Sequence, residues 1–538
     1  MNSTGNGYRI PSPNRSPERT ASFSTPMLIP SYTRRLKSLS MAKSKPIHPG
    51  KFWKAAWWLP VLLVFAALFF GCGETGEDAG RKNILFIAVD DLRPVLGCYG
   101  HQTVISPHMD QLARSGTRFS RAYCQVAVCN PSRASVLTGL RPDALRLWTN
   151  KPHFREHRPD VVTLPQLFRQ QGYAAREIGK IFHDPASHKD SLSWSGPSQY
   201  AVTRNGQGHK YALPANYTPQ RSKGAASEQA DVPDTAYIDG KVAAAAMEVL
   251  REIQDSAFFL AVGFRRPHLP FSAPKRYWDL YDPQEIHQEY KSTPAPVGAP
   301  EIAFHDSNEL RGYEDIPAED TIPRAKQVEL LHAYYASISY VDAQIGKLLR
   351  ELTELGLSDN TLVVLWSDHG FHLGDFGMWC KATNFEAATR VPLILSGPGI
   401  AKGQVDPTIV ELVDIYPTLA TWANLPLPAD LAGDNLFAIP GNRAEFALSQ
   451  FVRPYQAINS REPGTMGYSI RTDEYRYTEW RNFPDMTVLE RELYQLSGTE
   501  TETQNLAGKQ AYATVMNRLA DQMNAANPTM PISQNKDR

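Results

Sequence analysis

Three observations predict an α/β fold: a large α/β/α sandwich around a mixed, mostly parallel central sheet, followed by a smaller C-terminal α+β domain with an antiparallel sheet. First, Asn83 to Val89 is a nearly unbroken apolar run with β-branched residues, the pattern of a strand buried on both faces. Second, similar short runs at Phe258 to Phe264, Thr361 to Trp366 and Val391 to Leu395 are separated by stretches of helical periodicity. Third, beyond residue 440 the apolar positions alternate, as in Tyr468-Ser469-Ile470-Arg471 and Tyr475-Arg476-Tyr477-Thr478. That period of two suits a hairpin turning at Asp473-Glu474.

The elements follow in order. Ser106-Pro107-His108 opens a short helix through Leu112, with Ser106 as cap and Pro107 at the first helical position. Pro131 to Thr138 is a second helix, closed by Gly139. Asp239 to Ile253 is an Ala-rich helix, and Lys326 to Leu355 carries Leu330, Leu331, Tyr334, Ile338 and Val341 on one side. Val515 to Met523 reads as a terminal helix. A chain of 538 residues is too long for one compact core. The pattern places a catalytic domain at 81–440 and a small α+β domain at 441–538.

Residues 1–80 read as a targeting region rather than fold. The first 50 residues are rich in Ser, Pro, Arg and Lys. Within 51–73, Trp57 to Gly71 is an apolar run behind Lys51 and Lys54, short for a membrane span and suited to a signal segment. It ends in Phe69-Phe70-Gly71-Cys72-Gly73, which resembles a bacterial lipobox except that Phe69 and Phe70 replace the usual leucine and small residue. Lipidation and a membrane tether at Cys72, cleavage with secretion, and a short membrane anchor all stay open. Met41 is a second candidate start. The expected location is exported: periplasmic, membrane-anchored or secreted.

Lys+Arg and Asp+Glu are equal at 56 each. No broad field toward nucleic acid is implied, so an anionic substrate needs a local basic pocket. The five cysteines, at 72, 98, 124, 129 and 380, are too few and scattered for a disulfide framework.

Asp90-Asp91 ends the first buried strand, where ligand sites of open α/β sheets lie. Ser367-Asp368-His369-Gly370 repeats the arrangement after Leu362-Val363-Val364-Leu365. Adjacent carboxylates repel unless a cation joins them. If the two strands are neighbours, Asp90, Asp91, Asp368 and His369 make an oxygen-rich shell for Ca²⁺, or less readily Mg²⁺. Cleaving an anionic ester at such a site would also need cations on the nonbridging oxygens, a nucleophile and a proton donor to the leaving oxygen. Lys180, Lys381 and Arg133 can supply charge, and His183 and His268 can handle protons.

Cys129-Asn130-Pro131-Ser132-Arg133, continuing to Leu137-Thr138-Gly139, reads C-x-P-S-R-x-x-x-L-T-G. It resembles the signature of type I sulfatases, of the alkaline phosphatase superfamily. In that family the cysteine is converted to Cα-formylglycine before folding, and the hydrated aldehyde attacks sulfur. The chain looks closest to the iduronate-2-sulfatase group. The blocks that carry this are Asp90-Asp91-Leu92-Arg93-Pro94, Leu96-Gly97-Cys98-Tyr99-Gly100, Arg141-Pro142-Asp143, Gly179-Lys180-Ile181-Phe182-His183, Arg266-Pro267-His268-Leu269-Pro270-Phe271, and Trp379 to Glu386 leading into Arg390-Val391-Pro392-Leu393.

The resemblance implies one calcium held by Asp90, Asp91, formylglycine 129, Asp368 and His369. It implies that Arg133 and Lys180 steady the formylglycine and sulfate, that His183 contacts the gem-diol, and that His268 and Lys381 face the leaving oxygen. Asp190 falls near an aspartate that contacts sugar in the group, and Phe371 stands where the group has a tryptophan at the sugar site. His101 is a further candidate for the pocket lining. The implied partners are a sulfated oligosaccharide and a formylglycine-generating or sulfatase-maturating enzyme.

The expected activity is an exported exo-sulfatase releasing the 2-O-sulfate of a terminal uronic acid. A sulfatase acting on another marine or algal polysaccharide is an alternative, as is a formylglycine-dependent phosphoesterase or phosphonate hydrolase of the same superfamily. A non-enzymatic glycan binder would be favoured only if a metal or nucleophile position were lost, and none is.

Overall fold

The computed structural model describes residues 82–183, 188–199, 210–217, 223–438, 445–460, 463–483, 485–496 and 501–526. Met41, the apolar segment at 57–71 and Cys72 lie outside them. Among the described residues no helix is long and apolar enough to cross a membrane.

Seven strands make the central sheet: β1 (Asn83–Val89), β2 (Thr117–Tyr123), β3 (Ala174–Gly179), β4 (Phe258–Phe264), β5 (Thr361–Ser367), β6 (Arg390–Ser396) and β7 (Gln404–Glu411). Their order is β7-β2-β6-β5-β1-β4-β3. β1 runs parallel to both β4 and β5, β3 is parallel to β4, and β7 is parallel to β2. β6 alone runs against its neighbours β2 and β5. The expected mixed, mostly parallel sheet is therefore the observed one.

The apolar run of β1 is explained by its register. Ile84, Phe86 and Ala88 enter one hydrophobic cluster, while Leu85, Ile87 and Val89 enter another on the opposite face. A period of two with both faces covered requires apolar residues throughout. Helices α1 (Pro107–Arg114), α3 (Ile238–Ile253) and α4 (Arg324–Glu354) cover the second cluster, and α2 (Cys129–Thr138) the first. In α3, Val242, Ala246, Val249, Leu250 and Ile253 recur at helical spacing and are buried. Truncating Leu250 to Ala would cost roughly 2–5 kcal/mol by the usual price of a core cavity.

Two local expectations need correction. Ser106 does not cap α1, since its hydroxyl donates to Asp110 and accepts from Gly97 N. The orphan N–H groups of His108 and Met109 are instead met by the Asp342 carboxylate of α4, at 3.1 and 2.8 Å. Helix α2 begins at Cys129 rather than at Pro131. Pro131 still falls within the first turn, where its missing N–H has no helical partner to lose.

The C-terminal sheet is antiparallel throughout: β8 (Ala447–Arg453), β9 (Thr465–Arg471), β10 (Tyr475–Asn482) and β11 (Val488–Gln495). Helix α5 (Ala513–Ala526) follows it. Phe451, Met466, Ile470, Tyr477, Leu493, Leu519 and Met523 belong to the same cluster as α2. The second sheet thus shares its core with the first.

Candidate active site

The carboxyl ends of β1 and β5 bring Asp90, Asp91 and Asp368 together, because the two strands are paired in register from Asn83–Thr361 to Val89–Ser367. The loop after β1 is tied down at several points. Asp91 takes a left-handed backbone (φ 60), and its N–H donates to Asp368 Oδ1 at 3.1 Å. The Tyr334 hydroxyl of α4 donates to Asp91 O (2.7 Å) and accepts from Arg93 N (2.9 Å). Ser367 Oγ accepts from Leu92 N and donates to His369 O, both at 2.9 Å.

Cys129 opens α2 inside this cluster, 2% exposed. Its Sγ lies 3.3 Å from His369 Nε2 and 3.7 Å from Asp90 Oδ1. One turn on, Arg133 is fully buried; Nε donates to Asp368 Oδ2 (2.8 Å) and Nη2 to Asp90 Oδ1 (2.9 Å). Its Nη1 donates to the carbonyls of Lys180 and Ile181. The i, i+4 spacing of Cys129 and Arg133 puts both on one face of the helix.

Lys180 is aimed by a close approach of β3 and β4. Gly179 adopts φ 79, and a Cβ on it would stand 2.1 Å from Gly263 O. A Cβ on Gly263 would stand 2.0 Å from Lys180 O. Only glycine permits both, and the resulting contact sets the Lys180 N to Gly263 O bond at 2.9 Å. Lys180 Nζ then reaches Asp90 Oδ2 at 2.6 Å. Lys381 lies in a loop whose flanking residues Cys380 and Ala382 have φ 76 and 77. Its Nζ is shared between Asp91 Oδ2 (3.0 Å) and Glu309 Oε2 (2.9 Å). His268 Nε2 lies 3.3 Å from Glu309 Oε1 and 4.0 Å from Asp91 Oδ2.

The electrostatics separate these acids. Burial works against the Asp90 carboxylate, but Lys180 and Arg133 outweigh it and hold its pKa well below the usual range. Asp91 goes the other way: burial, with Asp90, Glu309 and Asp368 pressing on it and Lys381 opposing, raises it well above that range. Burial keeps the His369 imidazole neutral, the form that can ligate a metal. Burial also raises the Cys129 thiol well above its ordinary value, with Asp90 and Asp368 adding to the effect against Lys180 and Lys381. An unmodified Cys129 is therefore a thiol, not a thiolate nucleophile.

Ligand atoms of Asp90, Asp91, Cys129 and His268 lie within 4.8 Å of one another, as do those of Cys129, Asp368 and His369. The crowded Asp91 is the carboxylate that a cation would relieve, so the donor set fits a metal ion.

A sequence model described as the sulfatase family matches residues 82–425. The chain belongs to the sulfatase family. A second model, for the C-terminal part of N-sulphoglucosamine sulphohydrolase, matches residues 374–528. Iduronate 2-sulfatase of Mus musculus is 36% identical over 514 residues, covering 81% of this chain and 92% of the mouse protein. The Homo sapiens enzyme is 35% identical over 513 residues, with coverage of 81% and 92%. The chain is thus a sulfuric ester hydrolase, of a family that is generally formylglycine-dependent and metal-binding.

Among solved structures, phosphonate monoester hydrolase SpPMH from Silicibacter pomeroyi superposes with TM-score 0.67 at 23% identity, covering 85% of this chain and 97% of that one. BT4656, in complex with its substrate D-glucosamine-2-N,6-O-disulfate, gives 0.65 at 23%, covering 85% and 100%. Both share the fold of this sulfatase.

The sulfatase structure brings Asp90, Asp91, Cys129, Arg133, Lys180, His268, Asp368, His369 and Lys381 into one cluster. His183 follows Lys180 on the same segment, with Nδ1 buried and unpartnered. Burial first, then Lys180 and His188, keeps it neutral.

The three residues expected to read the sugar are placed differently. Phe371 is 0% exposed and packs on Phe271 and Tyr334, so its ring has no surface to offer a ligand. Asp190 is buried with both oxygens on Arg155, at 2.7 Å each. His101 lies in a separate cleft of about 400 Å³ with Arg93, Glu289 and Lys291. There its Nε2 is 3.2 Å from the Tyr335 hydroxyl and 3.3 Å from Glu289.

Glu309 was not foreseen. It lies in a short helix, Asn308–Arg311, within residues 275–325, where no periodicity or motif marks it, and only the fold sets it beside Lys381 and His268.

Proposed function

We propose that this sulfatase is an exported exo-enzyme that releases the 2-O-sulfate of a terminal uronic acid in a sulfated glycan, with residue 129 as formylglycine and one calcium at Asp90, Asp91, Asp368 and His369. The observation that carries this reading is the 36% identity to an iduronate 2-sulfatase over most of both chains, taken together with a complete set of acids and bases around Cys129. The crowded carboxylates at Asp91 support an oxygen-liganded divalent cation, and calcium is the hard ion suited to a flexible carboxylate shell. The N-terminal apolar segment at 57–71 supports export, with Cys72 as the candidate tether.

The hydrated aldehyde would supply the oxygen that attacks sulfur, and calcium would neutralise charge on the sulfate. This chain's own residues do the rest. Arg133 and Lys180 hold Asp90 ionised and set a positive field beside residue 129. Lys381 Nζ, poised between Asp91 and Glu309, faces the same space. His268 Nε2, on the Glu309 side, is placed to give a proton to the departing sugar oxygen.

Purified protein would be assayed on a disaccharide with a terminal 2-sulfated uronate, on a longer chain with internal sulfates, and on an aryl phosphonate. Release of the terminal 2-O-sulfate alone is expected. Release of a hexosamine 6-O-sulfate with the 2-O-sulfate intact, or preferred hydrolysis of the phosphonate, would refute the substrate. Mass spectrometry of the peptide spanning residue 129 should show the aldehyde in place of the thiol. For the tether, Cys72→Ser should move the protein from membrane to soluble fractions.

A further inference from the structure

Two cations beside the site are left without partners. Arg133, Lys180 and Lys381 are committed to Asp90, Asp91, Asp368 and Glu309. Arg265 is not. Its N–H donates to Asp239 Oδ1 at 2.8 Å and its carbonyl accepts from His268 N at 2.8 Å, which fixes its place in the turn between β4 and His268. Among the described residues its guanidinium has no hydrogen bond or ion pair, and Nε is buried without a partner.

Lys210 stands over the same turn, because its carbonyl accepts from Arg266 Nη2 (3.2 Å) and Ser272 Oγ (2.5 Å). Its ammonium likewise has no partner among the described residues. Burial makes the Lys210 ammonium easier to deprotonate, and Arg265, Arg266, Lys223 and Lys180 add to this. Burial acts on Arg265 in the same direction, outweighing Asp90 and Asp239. A partly buried cation without a counter-ion is costly, and an anionic ligand removes that cost.

The turn leads directly into His268, and the charges of Arg265 and Lys210 act on each other and on Asp90, Arg133 and Lys180, so both cations border the site. With Arg133, Lys180 and Lys381 already set around residue 129 to meet the transferred sulfate, an anion on Arg265 and Lys210 would be a further substituent of the same substrate. We propose that Arg265 and Lys210 form a second anion subsite, which binds an anionic substituent of the leaving sugar: the carboxylate when that sugar is a uronic acid. The planar fork of Arg265 suits a carboxylate bound through two parallel hydrogen bonds. The proposal rests on the sulfatase reading above, with His268 on the leaving-oxygen side.

The test compares kcat/KM for 4-methylumbelliferyl 2-O-sulfo-iduronide and its carboxyl-reduced counterpart, with the mature, calcium-loaded protein. Wild type should favour the acid by about tenfold or more, in keeping with one charge-assisted pair. Arg265→Gln should bring the ratio close to one through KM, Lys210→Gln should lower it, and Arg265→Lys should restore part of it. An unchanged ratio in Arg265→Gln overturns the subsite while the substrate reading stands.

If neither iduronide is turned over but glucosamine 6-sulfate is, the uronate reading fails. The same ratio is then taken between N-sulfated and N-acetylated glucosamine 6-sulfate. Loss of the N-sulfate preference in Arg265→Gln supports the subsite, and its persistence overturns it. Calorimetry checks that each variant is folded, and Lys210→Gln and Arg265→Lys carry the measurement if Arg265→Gln is not.

Discussion

Glu309 Oε1 stands 3.3 Å from His268 Nε2, while His268 Nδ1 lies 2.6 Å from the Leu269 carbonyl. Both ring nitrogens therefore face acceptors. Burial first, and then Lys381, hold the imidazole's pKa well below its ordinary value, and Asp90 and Glu309 oppose them, so Glu309 favours the proton the ring must give while also holding Lys381 in the same corner.

Glu309→Gln should therefore slow poor leaving groups more than good ones. The loss in kcat/KM on a sugar sulfate should exceed the loss on 4-nitrophenyl sulfate by roughly tenfold or more, since proton donation is worth about 10²–10⁴-fold where it is needed. Equal losses on both esters would mean that Glu309 only supports the fold.

Cys129→Ala should abolish turnover, because no other nucleophile lies in the cluster. Its thermal midpoint should fall by only a few degrees, as the change removes one small buried group. A folded Cys129→Ala protein that retains activity contradicts the assignment of residue 129.

Asp368→Ala should lose both metal and stability. The carboxylate accepts from Arg133 Nε, Asp91 N and His369 N. Removing it leaves the Arg133 Nε unsatisfied while Nη2 keeps Asp90, a loss of about 1–3 kcal/mol. Elemental analysis should find little calcium, and urea unfolding should shift to lower concentration; full metal content would contradict the site.

At constant calcium, three buried carboxyls should lower stability as pH rises from 5 to 8, while buried histidines such as His372, held down to about 4 by burial, act the other way below about pH 6.5. Three buried carboxyls away from the site, Asp342, Asp414 and Glu492, are each pushed up to about 7, first by burial and for Asp414 also by Glu411. Their folded pKa values lie above the unfolded ones, so their stabilising contribution is whole below about pH 4 and is lost as pH passes 7. Glu492→Gln, which keeps an acceptor toward Trp480 Nε1 and the Tyr494 hydroxyl, should flatten that slope. The difference should be on the order of 1–3 kcal/mol. An unchanged slope in calorimetry would refute it.

How far the sequence reveals this molecule follows burial. β1, β4, β5 and β6 lie inside the sheet and are apolar between their ends, so they are legible as strands. β3 and β7 are edge strands, and β7 carries Pro407 and exposed polar residues. β2 keeps Arg118, Ser120 and Arg121 half-buried, which breaks its apolar run. In the site, residues inside contiguous motifs are readable. Glu309, Arg265 and Lys210 act through tertiary neighbours, and Asp342 caps a helix 233 positions away from it in sequence. Phe371 follows the metal motif, yet the ring turns into the core against Tyr334.

The burial of Cys129 also sets a clock. The folded chain leaves residue 129 only 2% exposed, enclosed by His369 from 240 positions later. Any modifying enzyme must reach it before β5 and His369 arrive, which at a synthesis rate of about 5–20 residues per second leaves roughly 10–50 s. With residue 129 as formylglycine, as proposed above, the fraction of active molecules would be a ratio of two rates, maturation against closure of the sheet. Slower translation between residues 129 and 369 would raise the yield of active protein without altering a single contact.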